Sequence, residues 1–149
     1  MKRCLQIVAI CLLGLGALPR VTQACDCAVP PPSPLNQRMA REAAASAAIF
    51  LGQVLEVTSD HVVFKVLEPY KGDLGDQIAL PAGPSDCDYI GEWMKPGDNH
   101  LIYVKTFKEK IKVYEVRVSI CGGSGTASRR ADEIEYLRKQ NSLTPAPTP

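Results

Sequence analysis

Cysteine is the residue type in this 149-residue chain with the most specific chemistry. Two of the six cysteines, Cys4 and Cys11, lie in an apolar N-terminal segment. The others are Cys25, Cys27, Cys87 and Cys121, an even number that predicts two disulfides in an exported chain. A bond between Cys25 and Cys27 would close a strained ring, so two long-range pairings stay open. A four-thiolate metal site is the alternative, but the usual C-x-x-C spacing is absent and an oxidising compartment removes thiolates.

The first 24 residues have the pattern of a secretory signal peptide. Lys2 and Arg3 precede an apolar run over residues 5–18, and Thr22 and Ala24 supply small side chains at positions −3 and −1 of the junction. The run is shorter than the roughly 20 residues that span a bilayer. We therefore predict a secreted or periplasmic protein that begins at Cys25. Acylation of Cys25, as in lipoproteins, is the alternative, and only then is a membrane attachment expected.

Charge gives no reason to expect a nucleic-acid partner. The chain has 17 basic and 16 acidic residues, and the signal removes three basic residues and no acid, which leaves 14 and 16, a net charge of −2. A basic strip for an anionic polymer is conceivable at Lys105, Lys108, Lys110 and Lys112. Glu109 interrupts this strip, however, and charged hairpin tips commonly keep a sheet edge soluble.

The other reactive side chains form no catalytic or metal motif. His61 and His100 lie far apart, without cysteines or acids at ligand spacing, and are interpreted as surface or packing residues. The sequence around Ser124 departs from a nucleophile elbow because Thr126 stands where a second glycine is required, so a turn after Cys121 is predicted. We expect no catalytic activity, no metal ion of its own and no cofactor. Trp93, in a loop rich in Gly and Pro, is expected to be packed.

The elements that would position these residues are mainly strands. Apolar residues at four-residue spacing predict a helix over 35–48, and a second helix over 130–139 turns Ile134 and Leu137 inward. Alternation and β-branched residues predict five strands at 49–57, 62–67, 77–80, 101–105 and 113–119. The irregular segment 81–98 is expected to be held by Trp93 and a disulfide. A mainly β fold follows, a five-stranded barrel between an N-terminal and a C-terminal helix. Residues 25–139 would form one domain, expected to be monomeric, and 140–149 a disordered tail.

The mature N-terminus carries a more specific signal. The sequence Cys25-Asp26-Cys27-Ala28-Val29-Pro30, followed by a helix, five strands and two distant cysteines, resembles the N-terminal domain of the tissue inhibitors of metalloproteinases (TIMPs), a netrin-like OB-fold. Phe50-Leu51-Gly52-Gln53-Val54 and Tyr103 are similar to strand patterns of that family. The resemblance covers residues 25–137 but lacks the third disulfide of the N-terminal domain and the whole second domain, as in short single-domain bacterial members.

The resemblance implies both a disulfide pairing and a function. It implies that Cys25 pairs with Cys87 and Cys27 with Cys121. It also implies inhibition of a zinc metalloendopeptidase, whose zinc is chelated by the α-amino nitrogen and carbonyl oxygen of Cys25. An α-amine titrates near about 7.7–8.0, and a metal readily displaces its proton. A non-inhibitory extracellular or envelope binding module that shares the fold is the alternative.

The second mature residue sets a limit on this function. In the family it enters the S1′ pocket of the peptidase, which is commonly apolar, and here it is Asp26. Burial of an unpaired carboxylate costs several kcal/mol, comparable with the gain from a good anchor. The resemblance therefore implies an inhibitor that binds ordinary targets weakly.

Overall fold

The structure is a computed structural model and describes residues 25, 27, 33–83, 85, 87–108 and 114–143. The predicted signal peptide, Asp26, the tip of the second hairpin and the chain after residue 143 lie outside these ranges.

Five antiparallel strands form a nearly closed barrel, flanked by two helices. In chain order the elements are α1 (Leu35–Ala45), β1 (Ala48–Val57), β2 (His61–Lys71), β3 (Gln77–Pro81), β4 (Asn99–Lys108), β5 (Tyr114–Arg117), β6 (Gly125–Thr126), a 3₁₀ turn (Ala127–Arg130) and α2 (Ala131–Leu143). The strand order is β3-β2-β1-β4-β5, and the two-residue β6 pairs with β4. Residues of β3 and β5 come within 8 Å at the closing edge. The predicted mainly β barrel between two helices is confirmed.

Strand β1 lies between β2 and β4, and apolar side chains cover both of its faces. Neighbouring side chains on a strand point to opposite faces. Phe50 therefore faces the barrel interior, where its ring meets Phe64 edge-on at 5.9 Å. Ile49 and Leu51 face outward and pack beneath the helices. The apolar residues of the outer layer are Met39, Ile49, Leu51, Leu101, Tyr103, Ile134 and Leu137.

Helix α1 is shorter than predicted and makes less contact. It ends at Ala45, because the Ser46 hydroxyl donates to the Glu42 carbonyl (2.8 Å) and the Ala47 N–H donates to Val104 in the sheet (2.8 Å). Met39 is buried, but Leu35 is 41% exposed. The helix therefore meets the barrel through about one turn, and the four-residue row of apolar residues is buried only in part.

Strand β2 extends beyond its predicted end at residue 67. The prediction covered only the run of β-branched and aromatic residues over 62–67, whereas the strand also includes Pro69, which lacks the N–H group of a ladder. Strand β3 pairs only with residues 61–65 of β2, so Pro69 has no partner strand on that side. Its other side pairs with Phe50 of β1. The strand can therefore continue through the proline to Lys71 without losing a ladder bond to β3.

The C-terminal region contains more structure than predicted. After the predicted turn that follows Cys121, strand β6 adds one more pairing to β4 through His100 and Leu101. Helix α2 has Ile134 and Leu137 buried as predicted and continues to Leu143, past the predicted start of the tail at residue 140.

Candidate functional site

Two disulfides fix Cys25 and Cys27 to the rim of the barrel. Cys25 is bonded to Cys87 with Cα atoms 5.3 Å apart, and Cys27 to Cys121 with Cα atoms 5.4 Å apart. These are the pairs that the resemblance implies. Disulfides are compatible with an extracellular or periplasmic location.

The chain segments around Cys87 and Cys121, which we call the two anchor segments, are also hydrogen-bonded to each other. The Ile120 N–H donates to the Cys87 carbonyl (3.0 Å), and the Tyr89 N–H donates to the Val118 carbonyl (2.6 Å). Asp88 and Ser119 lie opposite each other in this short antiparallel pair. Cys87 and Cys121 therefore belong to one substructure, and the disulfides hold Cys25 and Cys27 side by side on it.

An open cleft lies next to these disulfides. Its volume is about 610 Å³, and we call it the Trp93 cleft; its lining residues are Ser59, Ala82, Gly83, Ser85, Asp88, Tyr89, Ile90, Gly91, Glu92, Trp93 and Ile120. Trp93 is 52% exposed and Ile120 is 38% exposed, so the cleft presents apolar surface to solvent. Ile120 was not singled out from the sequence, although its position before Cys121 places it beside a predicted disulfide.

The expectation that Trp93 is packed is wrong. Its ring meets Tyr89 and His100 only edge-on, with centroids 5.2 and 5.6 Å apart. The loop is held instead by Tyr89, Ile90 and Met94, which are buried in the barrel interior. The sequence pattern could not identify which of these residues are buried, because the loop lacks a regular alternation of apolar and polar residues.

His100 forms the buried floor beneath Trp93. Its Nδ1 shares a hydrogen bond of 2.8 Å with the Tyr89 hydroxyl, while its Nε2 has no partner within the described part of the chain. Desolvation by burial lowers the pKa of His100, and burial raises the pKa of Tyr89 to about 12. The imidazole and phenol are therefore neutral groups that pack the site. His61 is half-buried, and its Nδ1 lies 3.0 Å from the Thr58 hydroxyl.

Ser124 and Lys105 are engaged in structural contacts. The Ser124 hydroxyl is buried and accepts the N–H of Tyr103 (2.9 Å). It follows a turn in which Gly123 adopts a φ of +86°, as the predicted turn requires. Lys105 forms an ion pair with Glu42 (2.9 Å). The other lysines of the predicted strip have side chains outside the described residues, so the strip stays a prediction.

No family model, curated protein or solved structure matches this chain. Over the ranges that the structure describes, no helix is long and apolar enough to cross a membrane. In the same ranges no group of three or more His, Cys, Asp or Glu side chains could hold a metal ion.

Proposed function

We propose that this protein is an exported, TIMP-like inhibitor of zinc metalloendopeptidases that chelates the zinc of its target through the backbone of Cys25. Residues 1–24 would direct export and be removed. The observation that carries the proposal is the double attachment of Cys25 and Cys27 to the hydrogen-bonded segments around Cys87 and Cys121.

This attachment suits the chelating chemistry for two reasons. The sulfur of Cys25 is occupied by the disulfide, so the α-amine and the carbonyl oxygen would be the atoms left to bind a metal. A second disulfide only two residues later holds the backbone that carries these atoms. Rigid presentation lowers the entropy lost on binding, which is the general benefit of preorganisation.

The Trp93 cleft would enlarge the contact with the peptidase. The exposed Ile120 belongs to the anchor segment that contains Cys121, and it lines the cleft together with the exposed Trp93. Aromatic residues near the centre of an interface commonly carry a large share of the binding energy. A target bound at Cys25 would therefore meet apolar surface on the same side of the barrel.

Acetylation of the Cys25 α-amine tests the mechanism. Acetylation removes the lone pair that binds zinc but leaves the disulfides and the barrel intact. Inhibition of a susceptible zinc peptidase by the mature protein is expected to disappear. An unchanged urea midpoint is the control for the fold, and lysine-acetylated protein with a free α-amine is the control for side-chain modification. Full inhibition by the α-acetylated protein would exclude the mechanism.

Replacement of Asp26 tests the limit on affinity. Asp26→Thr removes a carboxylate that would enter the S1′ pocket unpaired, so inhibition is expected to tighten by about 1–3 kcal/mol, or roughly 5- to 150-fold. Inhibition constants of the two proteins measure the change. Asp73→Thr, in an exposed turn, is the matched control and should leave the constant unchanged. Weaker binding by Asp26→Thr would indicate a cationic target pocket instead.

A non-inhibitory extracellular or envelope binding module is the second candidate. The exposed aromatic surface of the Trp93 cleft favours it, because this surface needs no free α-amine. Intact mass separates the cases: a blocked or lipidated Cys25 excludes chelation, whereas a free amine permits it. Failure of both the native and Asp26→Thr proteins to inhibit any zinc peptidase would favour the binding module.

A further inference from the structure

A second pocket, lined by more charged side chains than the Trp93 cleft, lies between helix α1, the start of helix α2 and the Cys27–Cys121 disulfide. Its volume is about 340 Å³, within the range of small-molecule sites. We call it the arginine pocket, and its lining residues include Arg38, Arg41, Glu42, Tyr103, Arg130 and Glu133. This pocket was not predictable from the sequence, because its lining residues are far apart in the chain and follow no common motif.

The charges around this pocket are not balanced. The buried Glu133 carboxylate accepts from both Arg38 (3.3 Å) and Arg130 (2.8 Å), so two guanidinium groups share one negative charge. Glu42 is paired with Lys105 (2.9 Å). Within the described ranges, the only hydrogen-bond partner of Arg41 is the Ser33 hydroxyl (3.0 Å). Among the described residues, three arginines and two carboxylates line the pocket, and Lys105 lies outside the lining beside Glu42, so this group of six side chains carries an excess of two positive charges.

An unpartnered donor lies at the buried side of the pocket. Tyr103 is 1% exposed, and its hydroxyl has no hydrogen-bond partner among the residues that the structure describes. Burial, and then the nearby Glu133, raise the pKa of Tyr103, so the group stays an O–H donor at any physiological pH. The same hydroxyl also interacts electrostatically with Arg130, Glu42 and Arg38, so it lies among the charged residues that line the pocket. A buried O–H without an acceptor is rare in folded proteins.

We propose that the arginine pocket binds a dianionic oxyanion, which is sulfate or phosphate as a free ion, or phosphate as a monoester on a larger molecule. An oxyanion supplies the acceptor that the Tyr103 hydroxyl lacks, and its two charges match the excess around the pocket. Arginine is suited to such ligands because its planar fork of donors fits their oxygens. This binding needs neither a peptidase nor a free Cys25 amine, so it stands apart from the proposed inhibition.

Calorimetric titration of the mature protein with sulfate, inorganic phosphate, glycerol 1-phosphate and acetate tests the ligand class. Saturable, equimolar binding of sulfate and phosphate is expected, weakening as salt rises. Acetate, with one charge, should bind at least about tenfold more weakly. Tighter binding of glycerol 1-phosphate than of inorganic phosphate identifies the monoester as the ligand, and the reverse order identifies the free ion. Acetate binding as tight as sulfate binding, or no saturable binding of either dianion, overturns the proposal.

Two variants test the residues. Tyr103→Phe deletes only the unpartnered hydroxyl and should weaken sulfate binding about tenfold or more, the usual loss for a hydrogen bond to a charged group. Arg41→Gln should weaken it about fivefold and lies on the exposed surface, so its effect can be measured even if Tyr103→Phe is poorly folded. Arg129→Gln makes the same charge change outside the pocket lining and should bind like the wild type. Wild-type affinity in both Tyr103→Phe and Arg41→Gln would exclude this pocket as the site.

Discussion

The imidazole of His100 is fully buried and lies against the rings of Tyr89 and Trp93. Desolvation lowers its pKa from the ordinary value of 6.5, and the charge of Asp98 opposes this shift only in part. Protonation would place an N–H on both ring nitrogens, and Nε2 has no acceptor within the described ranges. The packing beneath the Trp93 cleft therefore depends on a neutral histidine.

This burial makes the stability of the protein pH-dependent. In the unfolded chain the imidazole binds a proton as pH falls through about 6.5, whereas in the folded protein it does so only at lower pH. The unfolded state binds more protons in this window, so the free energy of unfolding falls as the solution is acidified from pH 7.5 to 5.5. Urea unfolding at the two pH values should give a lower midpoint at pH 5.5.

Two histidine variants separate this effect from other titrations. His100→Gln should reduce the difference between the two midpoints, although the protein will be less stable at both pH values. His61→Gln is the matched control, because it removes a histidine that is only half-buried and lies apart from the rings of Tyr89, Trp93 and His100. A pH difference that is the same in His100→Gln and in the wild type would show that other groups cause it.

Helix α2 is attached to the barrel by two kinds of contact. Ile134 and Leu137 are buried in the outer apolar layer with Met39 and Leu101. At the surface, the Arg138 Nε donates to Glu68 on strand β2 (2.8 Å). Burial of apolar side chains generally stabilises a fold more than an exposed ion pair does. We therefore expect the apolar contacts to hold the helix.

Substitutions in α2 distinguish the two contributions. Ile134→Ala removes buried methyl groups and should lower the free energy of unfolding by about 2–4 kcal/mol. Arg138→Gln breaks the exposed ion pair with Glu68 and should cost much less than Ile134→Ala. Urea unfolding measures both, and equal losses would contradict the assignment. Ile134→Val should fall between the wild type and Ile134→Ala.

The strands were predictable from sequence because alternation and β-branched content report local geometry directly. The first hairpin and the order of helices and strands follow from these signals. The end of α1, the continuation of β2 through Pro69 and the short β6 depend on hydrogen bonds to distant strands, which no local pattern contains. Trp93 shows the same limit, since only the packed structure reveals that Tyr89, rather than Trp93, fills the barrel interior.

Only the covalent part of the candidate site, its two disulfides, could be predicted from the sequence. Four cysteines indicated two disulfides, and the resemblance then implied the pairing. The Trp93 cleft and the arginine pocket were not predictable, because each is lined by residues from several separated segments. The sequence contains their side chains but not the distances between them.

The two disulfides constrain the molecule as a whole. Their cysteines are 62 and 94 residues apart, so each bond closes a large part of the domain into a loop. In the chain-entropy model, each loop destabilises the unfolded chain by about 4–5 kcal/mol. A domain has a total stability of about 5–15 kcal/mol, so each bond can contribute much of the margin.

Paired cysteine substitutions test this contribution. The double variant Cys27→Ser with Cys121→Ser should lose about 4–5 kcal/mol of unfolding free energy, and Cys25→Ser with Cys87→Ser slightly less, because its loop is shorter. Urea unfolding without reductant measures both losses, and fully reduced wild-type protein is the control that lacks both bonds. A loss below about 1 kcal/mol in either variant would mean that the unfolded chain is already compact.

The two-sided burial of β1 has a consequence for how its alignment is specified. In most half-exposed strands a slip of one residue brings apolar side chains into water, and solvent opposes it. Over Ala48–Leu51 a slip would only exchange one buried apolar side chain for another, so polarity distinguishes the alignments weakly. Shape distinguishes them instead: a Cβ on Gly52 would lie 2.7 Å from the Phe50 ring, so a larger residue brought there would collide. The register of β1 is therefore set by side-chain volume. It becomes specified only when the side chains that bound this volume are already packed around the strand.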